Sequence, residues 1–207
     1  MDLTIIDRRR VSAEEQEAAE SIQMNLMHLR IAVADFRSVL DLYMHIRDLN
    51  RADQIQHKSK VGWTKIAGRE GAICANGLFM AMQNINKTNA PQISKLVDIE
   101  MRKRGQADFE NAFRNVMSVR ITAAHPGELY GKAKELEDHR LRDAAVSDGM
   151  VLGEGSFAAD MMNASDEKLT FSATFKGRLV SYELSQATAD KMTEAVKTYV
   201  GAFRALF

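Results

Sequence analysis

Apolar residues recur at helical spacing along most of the first 124 residues. Ala18, Ile22, Leu26, Leu29 and Val33 share one face, and Val39, Leu42, Tyr43, Ile46 and Leu49 continue on a shifted one. The shift predicts a kink, or a helix wet on few sides. Ser12 and Glu15 have capping-box spacing, so the first helix is expected near Ala13. No Gly or Pro occurs between Ser12 and Gly62, and the polar run Gln54 to Lys60 is either a turn or the exposed part of one very long helix. From Trp63 to Ile85, Trp63, Ile66, Ala67, Ile73, Cys74, Leu78, Ala81 and Ile85 form a broad stripe with Glu70 in its middle. Asn86 to Pro91 reads as a loop, and Pro91 suits a first helical turn. Ile93, Leu96, Val97 and Met101 then repeat at helical spacing up to Gly105, which is placed as a helix stop after Arg102, Lys103 and Arg104. A further helix is expected from about Ala107 to Ala124, ending where His125 precedes Pro126.

Beyond that point, Glu128 to Arg142 carries the alternating charge of a solvated helix, and Asp148 to Gly155 reads as loop. The period then falls to two. Leu169, Phe171, Ala173 and Phe175 alternate with small polar residues, and Leu179 to Leu184 follows Lys176-Gly177, which is a hairpin signal. Phe157 to Met162 is a candidate third strand. Ser185 caps a last helix with Met192, Val196, Tyr199, Val200, Phe203 and Phe207 on one stripe, the expected cover of the hairpin. The expected fold is therefore mainly α: a helical bundle over residues 1–145, and a C-terminal β-hairpin or three-stranded meander with its covering helix over 146–207, the two packed as one domain.

Composition narrows the function classes. The chain has 207 residues, 45% of them hydrophobic, enough for a sizeable core. Lys plus Arg balance Asp plus Glu at 28 each, so no global field favours nucleic acid or membrane. The one cysteine, Cys74, excludes an intrachain disulfide and a cysteine zinc cluster, and the histidines form no close ligand pair. No cofactor or metal site is expected. No apolar run reaches transmembrane length, and a cytoplasmic protein without membrane contact is expected.

Arg120 is the sharpest chemical clue. Counted from Phe109 on one helix it falls about 20° away, inside the apolar arc of Phe113, Val116 and Met117. A guanidinium there needs an anion, a wet cleft or a ligand. Glu70, in the apolar stripe of another helix, is its expected partner, as a structural pair or as the orienter of an active-site arginine.

Arg120-Ile-Thr-Ala-Ala-His125 also has the spacing R-x4-H. Here the chain resembles the HEPN superfamily, helical domains of prokaryotic toxin-antitoxin and phage-defence systems, and proteins near their abortive-infection branch. The resemblance implies a metal-independent RNase site shared across a homodimer, with RNA as substrate and an antitoxin as partner. His125 would be general acid or base toward the ribose 2′-hydroxyl, and Arg120 would hold the phosphate. The alternative is a non-catalytic helical interaction or anion-sensing module in which Arg120 pairs with Glu70.

Overall fold

A computed structural model of the chain describes residues 5–124 and 133–207. The fold is mainly α, with two small antiparallel sheets. Its frame is an antiparallel pair of long helices, α1 (Gln16–Arg51) and α2 (His57–Lys87), about 54 and 46 Å long at 1.5 Å per residue. The predicted kink in α1 is absent: one uninterrupted helix spans both stripes. Its buried positions Ile22, Leu26, Leu29, Val33, Phe36, Leu40 and Tyr43 alternate by four and three. Such a 3.5-residue repeat drifts about 20° per heptad around a straight helix, which gives part of the shift of face; the rest comes from Leu42, which is exposed and outside the core row.

α1 ends where Asp53 turns left-handed (φ 54°), a conformation its short polar side chain tolerates. The Gln54 N–H then reaches back to the Leu49 carbonyl at 2.8 Å, closing the turn. α2 starts at His57, so only the front of the run Gln54 to Lys60 is turn. The capping box does not form either. Ser12 makes no side-chain cap, residues Ala13–Glu15 form a 3-10 turn, and buried Glu15 faces elsewhere. Its two oxygens accept the Gln92 and Ile93 N–H groups, each at 2.9 Å, at the start of α3 (Pro91–Leu96). Pro91 has no N–H to satisfy, so a distant carboxylate caps the first free amides of this short helix.

Gly105 does not stop a helix. It lies inside α4 (Ile99–Ala112), where a Cβ would come within 2.5 Å of the Tyr199 nitrogen and 2.8 Å of its Cα. The glycine is the point at which α4 meets the last helix backbone to backbone. The break comes instead at Phe113 to Asn115, with Asn115 at φ 61°, and α5 (Val116–Ala124) follows.

After α6 (Ala133–His139), β1 (Ala145–Ser147) and β2 (Met150–Leu152) form a hairpin whose turn and second strand lie in the segment read as loop. Asp148-Gly149 is its turn, both residues left-handed at φ 48° and 81°, a two-residue signal present in the sequence. The main sheet has the order β3 (Met161–Ala164), β4 (Lys168–Phe175), β5 (Arg178–Ser185). Lys176-Gly177 makes the predicted turn, pairing Phe171 with Tyr182 and Leu169 with Leu184. The third strand runs from Met161, not Phe157.

The last helix, α7 (Gln186–Gly201), is capped by Ser185, whose Oγ accepts the Thr188 N–H at 3.2 Å. It follows the three-stranded sheet and touches β5. It packs chiefly on α4 and α1, while α2 and α5 cover Leu169, Phe171, Ala173, Tyr182 and Leu184. Gly68 and Gly71 on α2 make the room: the Tyr182 hydroxyl donates to the Gly68 carbonyl, and Met162 Sδ would lie 2.7 Å from a Cβ at residue 68.

β4 is buried on its other face as well. There Ser172 shares a 2.7 Å hydrogen bond with Ser147, and Thr170 donates to Asp148 at 3.1 Å. One continuous core joins residues from both predicted segments, from Ile6 to Leu206.

The Gly105 contact makes a prediction opposite to helix propensity. Gly105→Ala should lower the unfolding free energy by about 2 kcal/mol, through overpacking against the α7 backbone. Gly62→Ala, in α2 with nothing within 4 Å, should raise it by about 0.5–1 kcal/mol. Urea midpoints at unchanged m-value measure both.

Candidate functional site

Arg120 stands at the edge of an apolar face, not in its middle. Phe109 belongs to α4 and Phe113 to the break after it, so the α5 wheel must be drawn without them. On it Val116, Val119, Thr122 and Ala123 are buried and Arg120 is half-buried. Among the described residues it makes no hydrogen bond or ion pair. Glu70 is exposed on the outer side of α2, and no ion pair joins it to Arg120. His125 lies outside the described residues. Of the three predicted site residues, the structure thus describes two and does not pair them.

The reason Glu70 faces out is the reading of α2. The stripe centred on Trp63 was expected inside. The buried arc lies roughly a quarter-turn away and consists of Thr64, Ala67, Gly68, Gly71, Ala72, Ala75, Leu78, Ala81, Met82 and Ile85, mostly small residues. The sheet and α5 occupy that side. The larger residues Trp63, Ile66, Ile73 and Met80 are left outside, with Ile66 53% exposed.

These residues do not stand alone. On α2, Trp63, Ile66, Glu70, Ile73, Gly77, Met80 and Asn84 follow one another by three and four. On α1, Met24, His28, Ile31, Asp35, Ser38, Leu42 and His45 do the same, and all seven are exposed. The two rows adjoin. Asn84 donates to Asn25 Oδ1 at 3.3 Å, and Asp35 is close enough to Cys74 to act on its ionisation. The outer face of the hairpin is therefore a continuous two-helix surface with apolar residues at both ends and acids, Asp35 and Glu70, in the middle. The sequence carried the signal, since Met24, Ile31 and Leu42 lie on the side of α1 opposite its core stripe.

Elsewhere several charged groups are paired. Arg69 pairs with Asp160, which is left-handed at φ 52°. Lys168 lies between Glu183 (2.7 Å) and Asp148 (3.2 Å), which raises its pKa and holds the Asp148 carboxyl below its usual range. A depression of about 470 Å³ beside Lys168 is lined by Met44, Arg47, Glu183 and Gln186, and its Arg47 is already held by Asp48 at 2.7 Å. Among the described residues no group of His, Cys, Asp or Glu is arranged to hold a metal ion, and no helix is long and apolar enough to cross a membrane. No protein-family model, curated protein or solved structure matches the chain.

Cys74 lies just beneath the outer face. Burial pushes its thiol up to about 12, with Asp35 and then Glu70 adding to the shift. Its folded pKa is above that of a free thiol, about 8.5. Its contribution to stability is intact below that pH and declines as the pH rises from there toward 12. At pH 8 Cys74 should react with a disulfide reagent at least ~100-fold more slowly in the folded chain than in guanidinium. Asp35→Asn with Glu70→Gln should recover only a small part of that rate, because burial is the larger cause. Full recovery would reverse the ranking.

Proposed function

We propose that this chain is a non-catalytic helical interaction module whose working surface is the outer face of the α1–α2 hairpin. The supporting observation is the placement of Met24, Ile31, Leu42, Trp63, Ile66, Ile73 and Met80, all exposed, in two adjoining rows on one rigid pair of helices. Scattered exposed apolar residues are ordinary on any surface, but a contiguous strip of them marks a contact site. The flanking residues fit the same reading, because polar His28, Asp35, Ser38 and Glu70 interrupt the strip enough to keep it in water before a partner arrives.

The nuclease reading has one observation in its favour. Arg120 is half-buried with no described partner, an arrangement compatible with holding a phosphate. It ranks second because the carboxylate expected to orient that arginine, Glu70, is solvent-facing on another surface.

Four methionines of similar exposure provide an internal comparison for the leading reading: Met24 and Met80 on the face, Met117 and Met150 away from it. Peroxide applied to the protein in its native cells should oxidise Met24 and Met80 several-fold more slowly than Met150. Equal rates at all four would remove the face from consideration. Purified protein incubated with single-stranded RNA in EDTA should show no cleavage above that of Arg120→Ala. Cleavage lost in both Arg120→Ala and His125→Ala, at unchanged melting temperature, would put the nuclease first.

A further inference from the structure

The α1 row on the outer face is a palindrome, and the apolar residues Ile66, Ile73 and Met80 of the α2 row share its centre. On α1 the order from Met24 is apolar, His, apolar, polar (Met24, His28, Ile31, Asp35), then polar, apolar, His, apolar (Ser38, Leu42, His45, Leu49). Its centre lies between residues 36 and 37. On α2, Ile66 and Met80 are each seven residues from Ile73, so that row is centred on Ile73. The hydrogen bond from Asn84 to Asn25, between antiparallel helices of equal rise, puts residues 36 and 37 of α1 level with residues 72 and 73 of α2. A single line across the hairpin therefore bisects both patterns.

Resting on the reading of this face as a contact surface, we infer that its occupant is a second copy of the chain, related by a two-fold axis lying across the hairpin beside Ile73. A two-fold there lays each helix antiparallel on its own counterpart. Ile73 then meets Ile73 of the second copy, and Ile66 meets Met80. Ile31 meets Leu42, Met24 meets Leu49, His28 meets His45 and Asp35 meets Ser38. Apart from Trp63, which meets Asn84, apolar residues face apolar ones, and no two like-charged side chains stand directly opposite, Glu70 meeting Gly77. An isologous interface requires this self-complementarity, while a surface shaped for an unrelated partner has no reason to be palindromic.

The other two-fold that packs hairpin on hairpin runs along the helices and sets α1 on α2. It would put Ile73 against Asp35 and Met80 against His28, so the residue chemistry selects the first. Gly77, where an added Cβ would meet nothing within 4 Å, lies next to the axis and lets the helices approach. From Met24 to Leu49 the strip is about 37 Å long and about 20 Å wide, two helix diameters. The ~740 Å² it presents is close to the ~800 Å² per partner of a standard stable interface.

The test is sedimentation velocity on the purified full chain from 1 to 100 µM, with circular dichroism as the check on folding. The wild type should be a dimer, and Ile73→Glu should raise the dissociation constant about 100-fold or more with the melting curve of the monomer intact. Ile66→Glu, at a more exposed position, replaces it if Ile73→Glu disturbs the fold. In a Cys74→Ser background, Ile73→Cys should join as a disulfide dimer, and Ile66→Cys should join only to Met80→Cys in a mixture. A wild-type monomer at 100 µM overturns the second copy as occupant and leaves the contact surface for another partner. A dimer that survives Ile73→Glu and Ile66→Glu overturns both the inference and the contact reading beneath it. A dimer broken by those changes, but without the Ile73→Cys disulfide, overturns the axis.

Discussion

The arrangement of this molecule follows from the small-residue side of α2. Gly71 takes the Tyr182 hydroxyl so closely that a Cβ there has no room, and a Cβ at Gly68 would displace the end of the Met162 side chain. A hydroxyl-to-carbonyl hydrogen bond from Tyr182 to Gly68 fixes the approach. Once the sheet sits there, the rotation of α2 about its own axis is set. Cores pack to crystal-like density, so the side of a helix that a sheet can reach most closely is the side with least bulk. Everything larger on that helix turns toward α1 or toward water. The exposed row of α2 is a consequence of where the sheet docks.

The same constraint explains which parts of the fold were legible in the sequence. The first stripe of α1, the stripe of α7, the switch to period two at Leu169, the Lys176-Gly177 turn and the Ser185 cap are all local signals, and each appears where the pattern put it. Gly105 and Glu15 were misread because their roles are tertiary. A helical glycine under another backbone looks like a stop, and a carboxylate that caps a helix 77 residues away looks like part of a capping box. The α2 stripe was misread because hydrophobicity alone weighs Ile and Trp above Gly and Ala, while packing reversed that order.

For the candidate site, the break at Phe113 to Asn115 decided most. A helical wheel assumes one continuous helix, and the left-handed Asn115 resets the phase between Phe109 and Arg120. Arg120 moved from the centre of an apolar arc to its margin, and the electrostatic need for a buried partner went with it. The outer face of the hairpin is legible in the sequence. On α1 the core row and the outer row have the same alternation of four and three, and two such rows on one helix leave one of them without a partner inside a single chain.

The two layers over β4 also differ in kind. One face is sealed by leucine, phenylalanine and tyrosine beneath α2 and α5, the other by hydroxyl groups: Ser147 on Ser172, Asp148 on Thr170, and Thr174 on Ala158. Heat capacity on opening comes from apolar hydration and is offset by polar hydration. Lifting the β1–β2 hairpin wets hydroxyls and carbonyls far more than hydrocarbon. That motion carries little calorimetric signature, and because β4 keeps its ladder hydrogen bonds to β3 and β5, it wets one face of the middle strand without unpairing its amides.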